Sequence, residues 1–215
     1  MIHNVHQGVD AHLQETFVSR EELLQGDFLK VLRDTIKLPN GKTATREFVV
    51  HPGAVMVIPL LDDGRLVMER QFRYPLQQVM LEFPAGKLDA GEPVWRCAQR
   101  ELLEETGYCA TEWARAGQLH PVISYSTEFI DIWFARGLTL GERQLDDGEF
   151  LDVVLVTSAD LVHACFDGRV TDAKTLAGAL WLQNVQSGAW QLTWQSVGKS
   201  IELFAEAVAS PIIQL

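Results

Sequence analysis

Residues Gly86 to Tyr108 read GKLDAGEPVWRCAQRELLEETGY. Gly86, Glu92, Arg100, Glu101, Glu104, Glu105 and Gly107 spell G-x5-E-x7-R-E-U-x-E-E-x-G-U, where U is a bulky apolar residue. With each residue type near its average frequency, a chance match anywhere in the chain has a probability on the order of 10⁻⁶. The pattern also has a physical reading. Residues 93–106 are predicted to be a helix, with Pro93 in its first turn and Gly107 as its C-terminal cap. On that helix Glu101, Glu104 and Glu105 fall at i, i+3 and i+4 and share one face.

Three carboxylates at that spacing repel one another. They also crowd the helix end whose dipole favours cations. A bound divalent cation would relieve both effects, and Mg²⁺ or Mn²⁺ prefers such hard oxygen ligands. The alternative is a solvated acidic helix end. Helical geometry argues against it, because Val94, Cys97 and Ala98 project onto the same arc as Glu101 and Glu105, so the acids point toward a covered surface. Arg100 is placed to orient a neighbouring acid by a bidentate contact, and Glu92 is a candidate partner for it. Gly86 is expected to permit a tight turn, and Gly107 a left-handed cap.

Carboxylates that gather divalent cations suit phosphoanhydride hydrolysis, in which the metal withdraws charge from the bridging phosphates and activates a water. A base must also take that water's proton. The chain has no G-x-S-x-G elbow, no P-loop and no HExxH motif, and its six histidines are scattered.

Outward from the motif, the flanks predict many strands and few helices. Strand-like runs between Asp27 and Val50 flank Pro39-Asn40-Gly41-Lys42, a hairpin signal. A second strand pair, Ala54–Leu60 and Arg65–Arg70, is joined by Asp62-Asp63-Gly64. Val79–Phe83 reads as a short strand entering the motif, and further strands are expected near 112–119, 129–135 and 150–156. The first twenty residues read as loose or helical. The C-terminal third reads as helical, with Ser158 and Thr171 as caps. One face there carries Ala173, Leu176, Ala177 and Leu180, and a last amphipathic stretch runs from about Gln191 to Ala209. The absence of regular β-α alternation points to an α+β layered fold.

The chain has 215 residues, 47% hydrophobic and 22% charged, with a net charge of −11. This composition is globular, and the acidity disfavours a nucleic-acid footprint or an anionic membrane partner. Three cysteines without CxxC spacing read as reduced thiols. The N-terminus lacks a basic start and an apolar core, and the longest apolar run, near Ala54–Leu61, is too short to span a bilayer. The expectation is a cytoplasmic protein.

The motif is the Nudix box, and the chain resembles Nudix hydrolases. HPGAVMVIPLLDDGR, RQFRYPLQQVMLEFPAGKLDAGE, YSTEFIDIWFARGL, DDGEFLDVV and TDAKTLAGALWL resemble the ADP-ribose pyrophosphatase branch, from about Asp27 to Leu182. Tyr108 stands where that family usually has an aliphatic residue. The resemblance implies an α/β/α sandwich with a mixed sheet and an N-terminal β arm. It also implies a homodimer whose residues 1–50 form the dimerising arm and whose residues 51–215 form the hydrolase domain. Cleavage of ADP-ribose would give AMP and ribose 5-phosphate. By position Glu101 and Glu105 match metal ligands, with Ala85 contributing its backbone carbonyl and Glu104 as a further ligand. Arg73 matches a substrate-binding arginine and Glu128 a loop glutamate that acts as base or ligand. Glu104 and Arg100 complete the candidate catalytic set, and Phe28 is a candidate for stacking on the adenine.

Two alternatives accompany this reading. One is a hydrolase of GDP-mannose or another nucleoside diphosphate sugar. The other is a catalytically silent Nudix domain that senses a nucleotide, although such a domain would be expected to lose the box glutamates that this chain retains.

Overall fold

The computed structural model describes residues 10–197. They fold as two compact units, residues up to 51 together with 122–128, and 52–121 together with the residues from 129 onward.

The first unit is an antiparallel sheet of β1 (Thr16–Gln25), β2 (Lys30–Lys37) and β3 (Thr43–Val50), with β2 in the middle. The predicted hairpin joins β2 to β3, and Gly41 takes φ +81° in its turn. Of the first twenty residues, expected to be loose or helical, residues 16–20 instead belong to strand β1. All ten β1 side chains are exposed, so the segment has no buried periodicity to read, and its conformation comes from pairing with β2 from Thr16↔Lys37 to Gln25↔Lys30. Asp34 is buried on β2 and accepts two hydrogen bonds from Arg20, both 2.7 Å.

Among the described residues the second unit holds two sheets and three α-helices. Its larger sheet runs β11 (Gln195–Ser196), β8 (Tyr108–Leu119), β9 (Ile130–Leu140), β4 (Ala54–Pro59), β7 (Ala85–Lys87). It is mixed, because β4 and β9 are parallel and the other pairs antiparallel. The smaller sheet runs β10 (Leu151–Val156), β5 (Leu66–Arg73), β6 (Gln78–Glu82). The predicted pair of strands across Asp62-Asp63-Gly64 therefore separates into different sheets. β4 and β5 share an isolated bridge, Leu60↔Leu66, but β4 pairs with β9 and β7, and β5 with β10 and the adjacent β6.

β4 is buried throughout, since its alternating side chains enter two cores. Val55 and Val57 pack with Cys97, Ala98 and Leu102 of helix α1 (Val94–Thr106) and with Trp133. Met56 and Ile58 pack with Phe83, and with Leu161 of helix α2 (Ser158–Phe166) and Leu182 of helix α3 (Ala173–Gln186). Helices thus cover both faces of the mixed sheet, which is the α/β/α layering expected.

The helix caps are each one residue from expectation. Thr157, not Ser158, caps α2 by accepting from the Asp160 N–H. Asp172, not Thr171, caps α3 by accepting from the Thr175 N–H. The buried face of α3 also differs. Lys174, Thr175, Gly178, Ala179 and Leu182 are buried, whereas Leu176 and Leu180 are exposed. Gly178 explains the choice, because a Cβ there would lie 2.8 Å from the Phe83 ring and 3.0 Å from Met56. Close approach of the backbone outweighs apolar periodicity. Most of the amphipathic stretch expected over 191–209 lies outside the described residues. Gln195–Ser196, within it, pair with β8.

Candidate active site

Helix α1 ends as the sequence predicts, with Gly107 at φ +78° donating its N–H to Leu103 O. Its buried face carries Cys97, Ala98, Glu101, Leu102, Glu105 and Thr106. The carboxylates on this arc are therefore drawn out of water, as the spacing indicated. The Cys97 thiol donates to Lys87 O at 3.2 Å, and burial pushes its pKa up, which leaves it unreactive.

Arg100 organises the box. Its Nε and Nη2 donate to the two oxygens of Glu92 at 2.9 and 2.8 Å, a bidentate pair. Its Nη1 donates to both Glu101 Oε1 at 2.8 Å and Glu104 Oε2 at 2.9 Å, and Nη2 also reaches Lys87 O at 3.0 Å. The bidentate contact goes to Glu92, and a single nitrogen bridges the two helix acids. With its donors so committed, Arg100 positions the acids.

Strand β7 lies against this helix. Ala85 donates its N–H to Glu105 Oε2 at 2.9 Å. Gly86 does not have a positive φ, so the tight turn expected of it is not its role. A Cβ at Gly86 would lie 1.9 Å from the Glu101 carboxyl carbon, and only glycine lets that carboxylate rest on the strand.

Burial, then Glu69, then Glu101 raise the Glu105 pKa to about 10. Burial also raises Glu101 to about 7, while Arg100 opposes the shift. Two of the groups involved were missed by the sequence reading. Glu69 sits on β5 with no exposure, and burial followed by the charge of Glu82 raises its pKa to about 8. Glu149 adds its charge to both Glu101 and Glu105 and accepts a long contact from Gln71 Nε2 at 3.4 Å. Glu149 lies within DDGEFLDVV, a segment that resembled the family, but nothing local marks it.

Arg73, the predicted substrate arginine, donates through Nε and Nη2 to the buried Glu82 at 2.7 and 2.8 Å. Lys174 also donates to Glu82, and to Asp172 at 3.1 Å. Arg73 is close enough to Glu69 and Glu105 for their charges to raise its pKa further. Ala85, Arg100, Glu101, Glu104 and Glu105 are thus gathered at one place, and Arg73 borders it. Phe28 and Glu128 belong to the other unit. There Phe28 is exposed and meets the His51 ring edge-on at 6.3 Å, and the half-buried Glu128 donates its N–H to Ser126 Oγ at 3.1 Å.

The donor set fits a hard divalent cation. It consists of carboxylate oxygens and a strand backbone, and among the described residues no N–H or hydroxyl donates to either oxygen of buried Glu69. Among the described residues no three acidic, histidine or cysteine side chains are already arranged as a cage. Arg100 instead holds Glu101 and Glu104, so a cation would have to draw these side chains together. Among the described residues no helix is long and apolar enough to cross a membrane.

The NUDIX domain model matches residues 50–178, and that of the nucleoside diphosphate sugar hydrolase N-terminal domain matches residues 15–49. The chain is 37% identical over 173 residues to the ADP-ribose pyrophosphatase of Bacillus subtilis, covering 80% of this chain and 94% of that one. It is also 37% identical over 174 residues to the methanol dehydrogenase activator of Bacillus methanolicus, covering 79% and 93%. A solved ADP compounds hydrolase superposes with a TM-score of 0.74 at 25% identity, over 82% of this chain and 97% of that one.

Proposed function

The chain belongs to the Nudix family, and from that premise we propose that it is a divalent-cation-dependent hydrolase of ADP-ribose, releasing AMP and ribose 5-phosphate. The observation that carries this reading is the packing of Glu101 and Glu105 against Gly86 and Ala85, with Glu104 held beside Glu101 by Arg100, in a chain similar to a named ADP-ribose pyrophosphatase. Mg²⁺ or Mn²⁺ would be held by Glu101, Glu104, Glu105 and the Ala85 carbonyl. When bound, it supplies the positive charge that draws electrons from the pyrophosphate and activates the attacking water.

The chain's own residues do the rest. Arg100 orients Glu101 and Glu104 while Glu92 fixes Arg100. Arg73, at the border of the acidic cluster, offsets the substrate's phosphate charge. Glu128 is the candidate base that takes the proton of the water, and Phe28 the candidate platform for the adenine. In this reading the protein is a cytoplasmic homodimer. Residues 1–50 form the arm that joins the subunits and residues 51–215 the hydrolase domain. The exposed Phe17, Val18, Leu23 and Leu24 of β1 are apolar surface suited to a partner.

A direct test compares AMP release from ADP-ribose with GMP release from GDP-mannose at equal enzyme, with Mg²⁺ and with EDTA. Cation-dependent AMP release that outpaces GMP release is expected. Much faster GDP-mannose turnover would transfer the assignment to that sugar. Binding of ADP-ribose without release in either metal would make the domain a silent sensor.

A further inference from the structure

Glu69 is hard to explain as a structural residue. It follows Leu66, Val67 and Met68 on the central strand of the smaller sheet, all fully buried, where an apolar β-branched side chain would pack without penalty. Its own side chain has no exposure, and among the described residues no N–H or hydroxyl donates to either carboxylate oxygen. An unpaired buried carboxylate is among the most unfavourable groups a core can hold. The register makes matters worse, because Glu69 stands directly opposite Glu82.

The nearby cations compensate it only in part, through their charge and without a hydrogen bond to it. The Nε and Nη2 of Arg73 are bonded to Glu82, and Lys174 is bonded to Glu82 and Asp172. Glu69 also meets Glu105 carboxyl to carboxyl, within hydrogen-bonding reach, and Glu105 feels its charge more strongly than that of any other side chain. The only partners that suit two facing carboxyl groups are a shared proton and a cation.

We propose that Glu69 is a further carboxylate of the cation centre, placed beside Glu105, which enables this protein to hold a divalent cation before any nucleotide is present. The inference rests on the hydrolase reading above but concerns cation binding alone. Mg²⁺ usually relies on one or two carboxylates together with the phosphates of the substrate. A buried extra anion adds negative charge to the centre and replaces part of what the phosphates would bring.

The test is calorimetric titration of Mn²⁺ alone into full-length protein without nucleotide, for wild type, Glu69→Gln and Glu69→Val. Both variants should bind Mn²⁺ about 10- to 100-fold more weakly, the range typical when a supporting group of a metal site is removed. The metal-free Glu69→Val protein should melt above the wild type, which also shows that it folds. Wild-type Mn²⁺ affinity in both variants would overturn the proposal and leave Glu69 and Glu105 as a proton-sharing pair. A wild type that binds no Mn²⁺ without nucleotide, yet cleaves ADP-ribose with Mg²⁺, would overturn this inference and spare the hydrolase reading. Absence of both would overturn the two together.

Discussion

Glu69 and Glu82 face each other across β5 and β6, and both are buried. Glu82 accepts two hydrogen bonds from Arg73 and one from Lys174, and the cations hold its pKa below the ordinary carboxylate value despite burial. Glu69 accepts no N–H among the described residues, and burial raises its pKa to about 8. Asp131 stands between the two, since it has no exposure and is matched by Arg115, yet burial still outweighs that pairing and raises its pKa. Glu105 resembles Glu69, with one backbone N–H against several anions. A buried charge compensated within the chain serves the fold. One left uncompensated is held ready for something the chain does not supply.

The contrast can be broken most sharply at Glu105. Glu105→Gln keeps the acceptor for the Ala85 N–H and removes an anion, so cation-dependent hydrolysis should fall roughly 1,000-fold while the metal-free protein melts no lower. Steady-state kinetics and thermal melts check this, and near-normal turnover would reject the metal assignment. On the compensated side the outcome reverses. Lys174→Met strips a cation from Glu82 and should destabilise the protein by about 3 kcal/mol, a fall in Tm of roughly 6–12 °C. The rise in Tm on adding Mg²⁺ should survive. If Lys174→Met instead abolished that rise while Tm stayed put, the division between the two groups would be wrong.

The smallest effect is the pH dependence of the metal-free protein. Glu69, Glu101 and Glu105 have folded-state pKa values above the ordinary carboxylate value, so the folded state holds protons that the unfolded state releases. Their stabilising contribution is complete below about pH 4.5 and is lost as the pH climbs through about 7, 8 and 10. Tm measured in EDTA should therefore decline by about 5 °C between pH 6 and pH 9, and saturating Mg²⁺ should flatten the decline. Glu82, Glu92 and Asp34 are shifted the other way, and their contribution is lost only on acidification. A metal-free Tm that rises from pH 6 to pH 9 would contradict the uncompensated state of the first group.

Much of the centre was legible because it is local. The i, i+3, i+4 spacing of Glu101, Glu104 and Glu105, the arc shared with Cys97 and Ala98, the Gly107 cap and the nearness of Arg100 to Glu92 all lie within one helix and its approach. The Asn40-Gly41 hairpin is legible for the same reason. Features that depend on residues distant in the chain were hidden. β1 has no buried side to announce it, α3 turns its small residues inward to admit Phe83, and β4 and β5 join different sheets. Gly86 was recognised as necessary, but its reason, the Glu101 carboxylate resting on it, exists only once helix and strand are packed.

The sequence by itself therefore determined the helix that carries the acids, the face on which they lie and the reaction class that the motif implies. These follow from backbone periodicity and the chemistry of neighbouring residues. The tertiary structure decided which carboxylates are neutralised and which are not. That outcome depends on strand register, which sets Glu69 opposite Glu82, and on α3, which delivers Lys174 to one of the two. Charge compensation in a core acts through space at low dielectric, and spacing along the chain does not encode it.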